Sequence, residues 1–156
     1  SFSYTAPSAL QWAYRSEALK AEILSTRPHL LCLQEVQCGP TEYSDHSRWF
    51  QAWLRLEGGY NCAFCPKMDA GGYQLDGIQI GNLIAWHAAD FDVVGDVLHV
   101  SLDREILERG LLPFDEVQYM GQVAIFAALR ERSTGGIFIL STTCVCSPSS
   151  NAAALS

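Results

Sequence analysis

One carboxylate stands where a buried strand gives way to a turn. Glu35 lies in the run Leu30-Leu31-Cys32-Leu33-Gln34-Glu35-Val36, just before Gln37-Cys38-Gly39-Pro40. A hard oxygen ligand at the carboxyl end of a strand suits magnesium, which takes one or two carboxylates while substrate phosphate fills other positions. The same residue also serves, in other settings, as a rim carboxylate paired with an arginine or a backbone donor. The residue type and its place leave both readings open.

The other chemically capable residues read as structural. Cys62 and Cys65 have the spacing of half a zinc site, but Cys144 and Cys146 are wrongly spaced for the other half. On a strand, Cys62 and Cys65 also point to opposite faces, as buried thiols do. No helix follows the pair, which a thioredoxin-like redox motif requires. His29, His46, His87 and His99 are scattered, with no carboxylate at a catalytic spacing. Asp45 and His46 are neighbours on a helix, so their side chains diverge. Trp49, Phe50 and Trp53 could stack bases, but their helical spacing reads as core. Gly71-Gly72 lacks the Lys and following helix of a phosphate cradle. Glu105 and Glu108 belong to a solvated, charged face.

The elements that must position these residues follow from the pattern. Pro7-Ser8 opens a first helix, with Ser8 as N-cap, Gln11 completing a capping box, and Trp12, Leu19 and Ile23 on one face. Thr26-Arg27-Pro28 stops it, and the strand 30–36 follows. Thr41 caps a second helix with the apolar stripe Tyr43, Phe50, Trp53 and Leu54, ended by Gly58-Gly59. Strands are predicted over 60–65, 78–86, 91–100, 122–130 and 136–145. The strands 78–86 and 91–100 are joined by a hairpin connection at 87–90, and the last two across Ser133-Thr134-Gly135. Residues 67–74 and 111–118 are loops. Residues 101–110 form a short exposed helix with Asp103 in its first turn and a Glu105–Arg109 pair. Helix, strand, helix and then mostly antiparallel strands suit an α/β sandwich with helices on one face of a sheet.

Composition bounds the rest. The chain has 156 residues, one domain by length, with 49% hydrophobic and 17% charged residues. Net charge is −7, with ten Lys and Arg and no basic cluster. A nonspecific nucleic-acid binder neutralises phosphates with Lys and Arg, so a bound cation would have to supply much of that charge here. No apolar run is long enough for a membrane span. The first residues carry neither an initiator Met nor a signal-peptide pattern, so the chain reads as a fragment or a processed product. Its six cysteines, with Cys32 buried mid-strand as a small hydrophobe, read as free thiols of a reducing, intracellular compartment, the cytoplasm. No membrane partner is expected.

Several segments together resemble the endonuclease/exonuclease/phosphatase superfamily, nearest its branch of carbon-catabolite-repressor-type deadenylases, nocturnin and angel proteins. Residues 30–36 are similar to that branch's strand ending in C-L-Q-E-V, and residues 7–15, PSALQWAYR, to its P-S-x-A-L-x-W-x-Y-R helix start. Gly81-Asn82-Leu83-Ile84-Ala85-Trp86 resembles the G-C-A-I-F-F strand. Gln122-Val123-Ala124-Ile125 resembles Q-V-A-V, and residues 137–145 the strand that ends in N-T-H-L. The matches are collinear over nearly the whole chain.

The resemblance implies a share of a four-layer α/β/β/α sandwich of the deoxyribonuclease type, lacking its first strand and second half. It implies a partial domain over 1–146 and a disordered tail over 147–156. Glu35 inherits the role of magnesium (Mg2+) ligand, and Thr142, standing for the Asn of N-x-H, that of a substrate-binding residue. Cys144 stands for the His of that pattern and Tyr119 for an Asn before Q-V-A-V. Asp76 is the nearest acidic residue to the position before G-C-A-I. No catalytic residue is assigned. The implied activity is magnesium-dependent phosphodiester hydrolysis, as a 3′–5′ poly(A) exoribonuclease, with this chain alone inactive or nearly so. The alternatives are a nucleotide phosphatase or phosphodiesterase of the same superfamily, and a non-catalytic remnant acting by protein contacts. RNA or a nucleotide is the expected substrate.

Overall fold

The computed structural model describes residues 6–67, 77–113 and 121–143. Within them two antiparallel sheets stack beneath a layer of helices, so the fold is mixed α/β. The first sheet has the order β1–β3–β2, from β1 (Leu30–Cys38), β3 (Gln79–His87) and β2 (Tyr60–Pro66). The second is built on β6 (Val123–Glu131). One edge of β6 pairs with β4 (Phe91–Val93) and β5 (Leu98–Ser101), and the other with β7 (Ile137–Thr143).

Alternation along the strands makes two cores. One face of the first sheet gives Val36, Cys62, Leu83 and Ala85 to a core with Ile23, Phe50, Trp53 and Leu54 from the helices. The opposite face gives Cys65, Ile84 and Trp86 to a core with Val123, Ile125, Ala127, Leu129 and Leu140 of the second sheet. β3 is buried along most of its length because it feeds both cores. Full burial of each large side chain stabilises by roughly 1.5–3 kcal/mol. Cys62 and Cys65 fall in different cores, as their spacing on a strand demands, and Cys32, Cys38, Cys62 and Cys65 are free thiols; Cys32, expected to be buried mid-strand, is exposed, because β1 is an edge strand of its sheet among the described residues.

The first helix begins later than its capping-box pattern suggests. Pro7–Leu10 form a tight 3₁₀ turn, extended Gln11 breaks it, and α1 (Trp12–Thr26) starts without a side-chain cap. Arg27, left-handed with φ 43°, closes α1. Thr41 does not cap the second helix either. Its hydroxyl bonds Ser44 Oγ at 2.8 Å within a turn, and Asp45 becomes the cap of α2 (His46–Trp53), accepting from Arg48 N at 3.2 Å. Tyr43 therefore lies before the helix and is 91% exposed, outside the apolar stripe. A π-helical turn, Leu54–Gly58, extends α2, and Gly59 (φ 74°) ends it as the glycine pair predicts.

The predicted strand 91–100 is two strands. Gly95, with φ 76°, turns the chain between β4 and β5, which then pair with successive stretches of the same β6 edge. The connection at 87–90 is likewise no hairpin, since β3 and β4 lie in different sheets and the turn carries the chain from one to the other. α3 (Leu102–Glu108) is capped by Ser101 and carries the Glu105–Arg109 pair at 3.0 Å. The expected loop residues 68–74 and 114–118 and the tail 147–156 lie outside the described residues. Among the described residues, no helix is long and apolar enough to cross a membrane.

Candidate functional site

The carboxyl ends of β1, β2 and β7 and the amino ends of β3 and β6 share one end of the sandwich, and Glu35 stands there. β1 does not stop at Val36 but runs on to Cys38, and it is interrupted at the carboxylate. Leu33 pairs with Leu83, then Val36 with Gly81, so Gln34 and Glu35 together face the single residue Asn82. This is a β-bulge, with Glu35 in the left-handed region at φ 55°. A non-glycine residue held there costs about 1–2 kcal/mol, and such strain collects where a side chain must be aimed. Glu35 is exposed, and Val36 beside it is buried.

Beneath the bulge the apolar layer between the sheets turns polar. Gln34 Nε2 donates to Thr142 Oγ1 at 3.3 Å and also to the Thr143 carbonyl. Asn82 Nδ2 donates to the Val123 carbonyl at 3.0 Å, and Thr143 Oγ1 donates to that same carbonyl at 3.0 Å. Thr142 is 7% exposed, whereas Glu35 is exposed. The structure thus links both residues singled out from the sequence through Gln34, the neighbour of one and hydrogen-bond donor to the other.

Asp103 joins this end unforeseen. Its Oδ2 accepts from Gln122 N at 3.1 Å, while Asp103 Oδ1 and Gln122 Oε1 are buried with no partner among the described residues. Desolvation pushes the Asp103 carboxyl above its ordinary range, against the lowering influence of the Gln122 and Gly121 amides and of Lys67. In the sequence it read only as a first-turn helix acid. The signal available was its place opposite Gln122-Val123, which needs the strand pairing to be seen.

Among the described residues, no group of three or more His, Cys, Asp or Glu could hold a metal ion. An exposed carboxylate on a rigid bulge does fit an open, largely hydrated magnesium site of one or two protein ligands. Asp76, Tyr119 and Cys144 lie outside the described residues.

The opposite end holds a cluster that the sequence pattern missed. His29 Nδ1 lies 2.7 Å and His87 Nδ1 3.0 Å from Asp90 Oδ2. Residues 61 positions apart meet here because the turn before β1 and the turn after β3 are neighbours in the first sheet. His46 has another role: it stacks on Trp12 with ring centroids 3.6 Å apart, and burial lowers its pKa. Phe50 and Trp53 are buried and Trp49 packs against their cluster, so this aromatic group is core and not a stacking platform.

No family model matches the chain. It is 37% identical over 73 residues to carbon catabolite repressor protein 4 homolog 2 of Arabidopsis thaliana, covering 47% of this chain and 9% of that protein. The human nocturnin catalytic domain, solved with a bound sulfate anion, superposes with a TM-score of 0.64 at 22% identity, over 92% of this chain and 46% of that one. An endonuclease/exonuclease/phosphatase protein from Beutenbergia cavernae superposes with a TM-score of 0.57 at 18% identity, over 85% of this chain and 33% of that one. The chain thus spans less than half the length of each of these relatives. Its two stacked sheets and helical layer share the fold of the nocturnin catalytic domain and of the endonuclease/exonuclease/phosphatase protein, and a 73-residue stretch is similar to the plant carbon catabolite repressor homologue.

Proposed function

We propose that this chain supplies the Glu35 side of a magnesium-dependent phosphodiester hydrolase that removes 3′ residues from poly(A) RNA. The observation that carries the reading is Glu35 itself, an exposed carboxylate held in a left-handed β-bulge at the polar end of the inter-sheet layer. An ion there would polarise the scissile phosphate and stabilise the charge that develops on it. Glu35 would hold it by one carboxylate, with water and phosphate oxygens completing its shell. Thr142 Oγ1, already accepting from Gln34, would turn its own proton toward a phosphate oxygen or toward a water that bridges to one. The similarity to a carbon catabolite repressor homologue and to nocturnin supports the deadenylase branch. With −7 net charge, a cation rather than a basic surface would draw the RNA backbone to this end. The partial domain is proposed to run over 1–146, with 147–156 as a tail, in a soluble intracellular setting.

The His29–Asp90–His87 cluster lies at the opposite end of the sandwich from Glu35, and the chain alone is expected not to turn over substrate. The expected outcome is that oligo(A) with magnesium yields no AMP, while magnesium titration perturbs the Glu35 signals in an NMR spectrum and Glu35→Gln abolishes the perturbation. Release of AMP by this polypeptide, lost in Glu35→Gln, would overturn the inactivity. A titration that leaves Glu35 unmoved would remove the metal reading and favour a role through protein contacts. A polypeptide extended to the length of the nocturnin domain, assayed on oligo(A) and on small nucleotides, separates the deadenylase from the nucleotide phosphatase.

A further inference from the structure

The bulge raises the question of what keeps it in place. A left-handed glutamate between two strands is strained, and a strand of this composition could relax it by slipping one residue in register. The residue opposite the two-residue bulge is Asn82. It is 1% exposed, in a layer otherwise made of side chains such as Ile84, Trp86, Ile125 and Leu129. An apolar residue of similar volume would fill that position. Asn82 instead donates one amide hydrogen bond to the Val123 carbonyl of the other sheet, at 3.0 Å, and leaves its Oδ1 buried with no partner among the described residues. Burying an unsatisfied acceptor is costly, so the bond that the amide does make must matter more than packing. Gln34, the exposed first residue of the bulge, is tied to the same sheet through Thr142 and the Thr143 carbonyl. One amide within the bulge and one opposite it on β3 thus fasten this point of the first sheet to β6 and β7. Glu35 follows Gln34 in the bulge and is likewise exposed.

We propose that Asn82 is a positioning residue for Glu35, its Nδ2 bond to Val123 locking the bulge that presents the carboxylate. The consequence for cation binding rests on the reading of Glu35 as a magnesium ligand; the locking of the backbone does not. A slip of one residue at this point would turn Glu35 toward the helix-side core and bring Gln34 to the rim. The inter-sheet amides make that register unreachable.

The test is NMR on the isotope-labelled chain. Asn82→Leu removes the amide and keeps the volume, Asn82→Ala covers the case in which leucine prevents folding, and Leu140→Ala in the same inter-sheet core controls for loss of stability alone. In an Asn82 variant the Glu35 Cα and Cβ shifts should move from left-handed toward strand values. Amide exchange at Val36 and Gln37 should accelerate at least about ten-fold relative to Ile84 and Ala85. The magnesium dissociation constant read at Glu35 should rise about ten-fold or more, the usual scale for losing a group that orients a metal ligand. Leu140→Ala should speed exchange at all four positions alike and leave the Glu35 shifts in place. Unchanged Glu35 shifts in an Asn82 variant, or an exchange pattern matching Leu140→Ala, would overturn the proposal. If the parent's titration is indifferent to Glu35→Gln, the metal reading falls while the shift and exchange data still decide the positioning role.

Discussion

At the scale of the residue, Glu35 occupies a backbone conformation that favours glycine, and a glutamate there is paid for in stability. Its φ of 55° puts the side chain in the region where L-residues are destabilised by about 1–2 kcal/mol. Glu35→Gly should therefore leave the fold as stable as the parent, or more stable by up to about 1 kcal/mol in denaturant midpoint, because relief of strain outweighs the added freedom of the unfolded chain. The same substitution should abolish the magnesium response. A residue whose removal stabilises the protein and destroys its binding is retained for the binding. A marked loss of stability in Glu35→Gly would instead make Glu35 a structural rim carboxylate, the other reading its position allows. The sequence shows the carboxylate and the end of its apolar run, but not the left-handed turn. Nothing in Gln34-Glu35-Val36 announces a bulge, since no glycine or asparagine marks it. The His29–Asp90–His87 cluster was illegible for a related reason: it is made by sheet pairing between distant turns, and no local spacing encodes it.

At the scale of the element, β3 is the member on which the site end depends, and Gly81 is where it admits its neighbours. A Cβ at Gly81 would come within 2.4 Å of the Cys65 carbonyl and 2.6 Å of the Phe64 ring. The carbonyl is backbone and cannot swing aside, so Gly81→Ala should push β2 away from β3 beside the residue paired with Val36. Overpacking of this kind costs about 1–3 kcal/mol, and the thermal midpoint should fall accordingly. Gly135→Ala, at φ 74° in the β6–β7 turn with open space around it, should cost less, about 1 kcal/mol, from backbone strain alone. An equal loss in the two variants would show that β2 and β3 yield easily at this end. Most elements were legible from local pattern: α1 with Trp12, Leu19 and Ile23, β3 by its apolar stretch Leu83-Ile84-Ala85-Trp86, β6 and β7 around Gly135. The misplaced boundaries have local causes. Two caps moved because Gln11 and the Thr41–Ser44 turn satisfy the backbone differently from a capping box. The strand 91–100 split because Gly95 stands where β6 offers one long edge to two short strands.

At the scale of the whole molecule, the faces of the stacked sheets differ in how the described residues cover them. Helices cover the first sheet, the two sheets cover each other, and among the described residues only α3 lies against the outer face of the second sheet. There Leu98, Ile137 and Ile139 are 59%, 56% and 67% exposed, and Val100, Leu102, Ile106, Leu111 and Phe126 line an open groove of about 450 Å³. Ile137 and Ile139 lie on β7 opposite Arg130 and Ala128, on the outward side of the strand. Apolar area of this kind on a sheet face promotes association, and the low charge of the chain does little to oppose it at a local patch. The isolated polypeptide should therefore self-associate with rising concentration, as read by sedimentation velocity. Ile137→Lys combined with Ile139→Lys should shift it toward monomer. Both side chains already face solvent, so the thermal midpoint should change little, the pair costing less than about 1 kcal/mol as surface substitutions do. Loss of folding in the double variant would mean that these isoleucines pack against something within the chain. Unchanged association would place the sticky surface elsewhere. A monomer at all concentrations would show that the exposed isoleucines and the groove beside α3 are tolerated as ordinary surface, since scattered apolar side chains do not by themselves drive association.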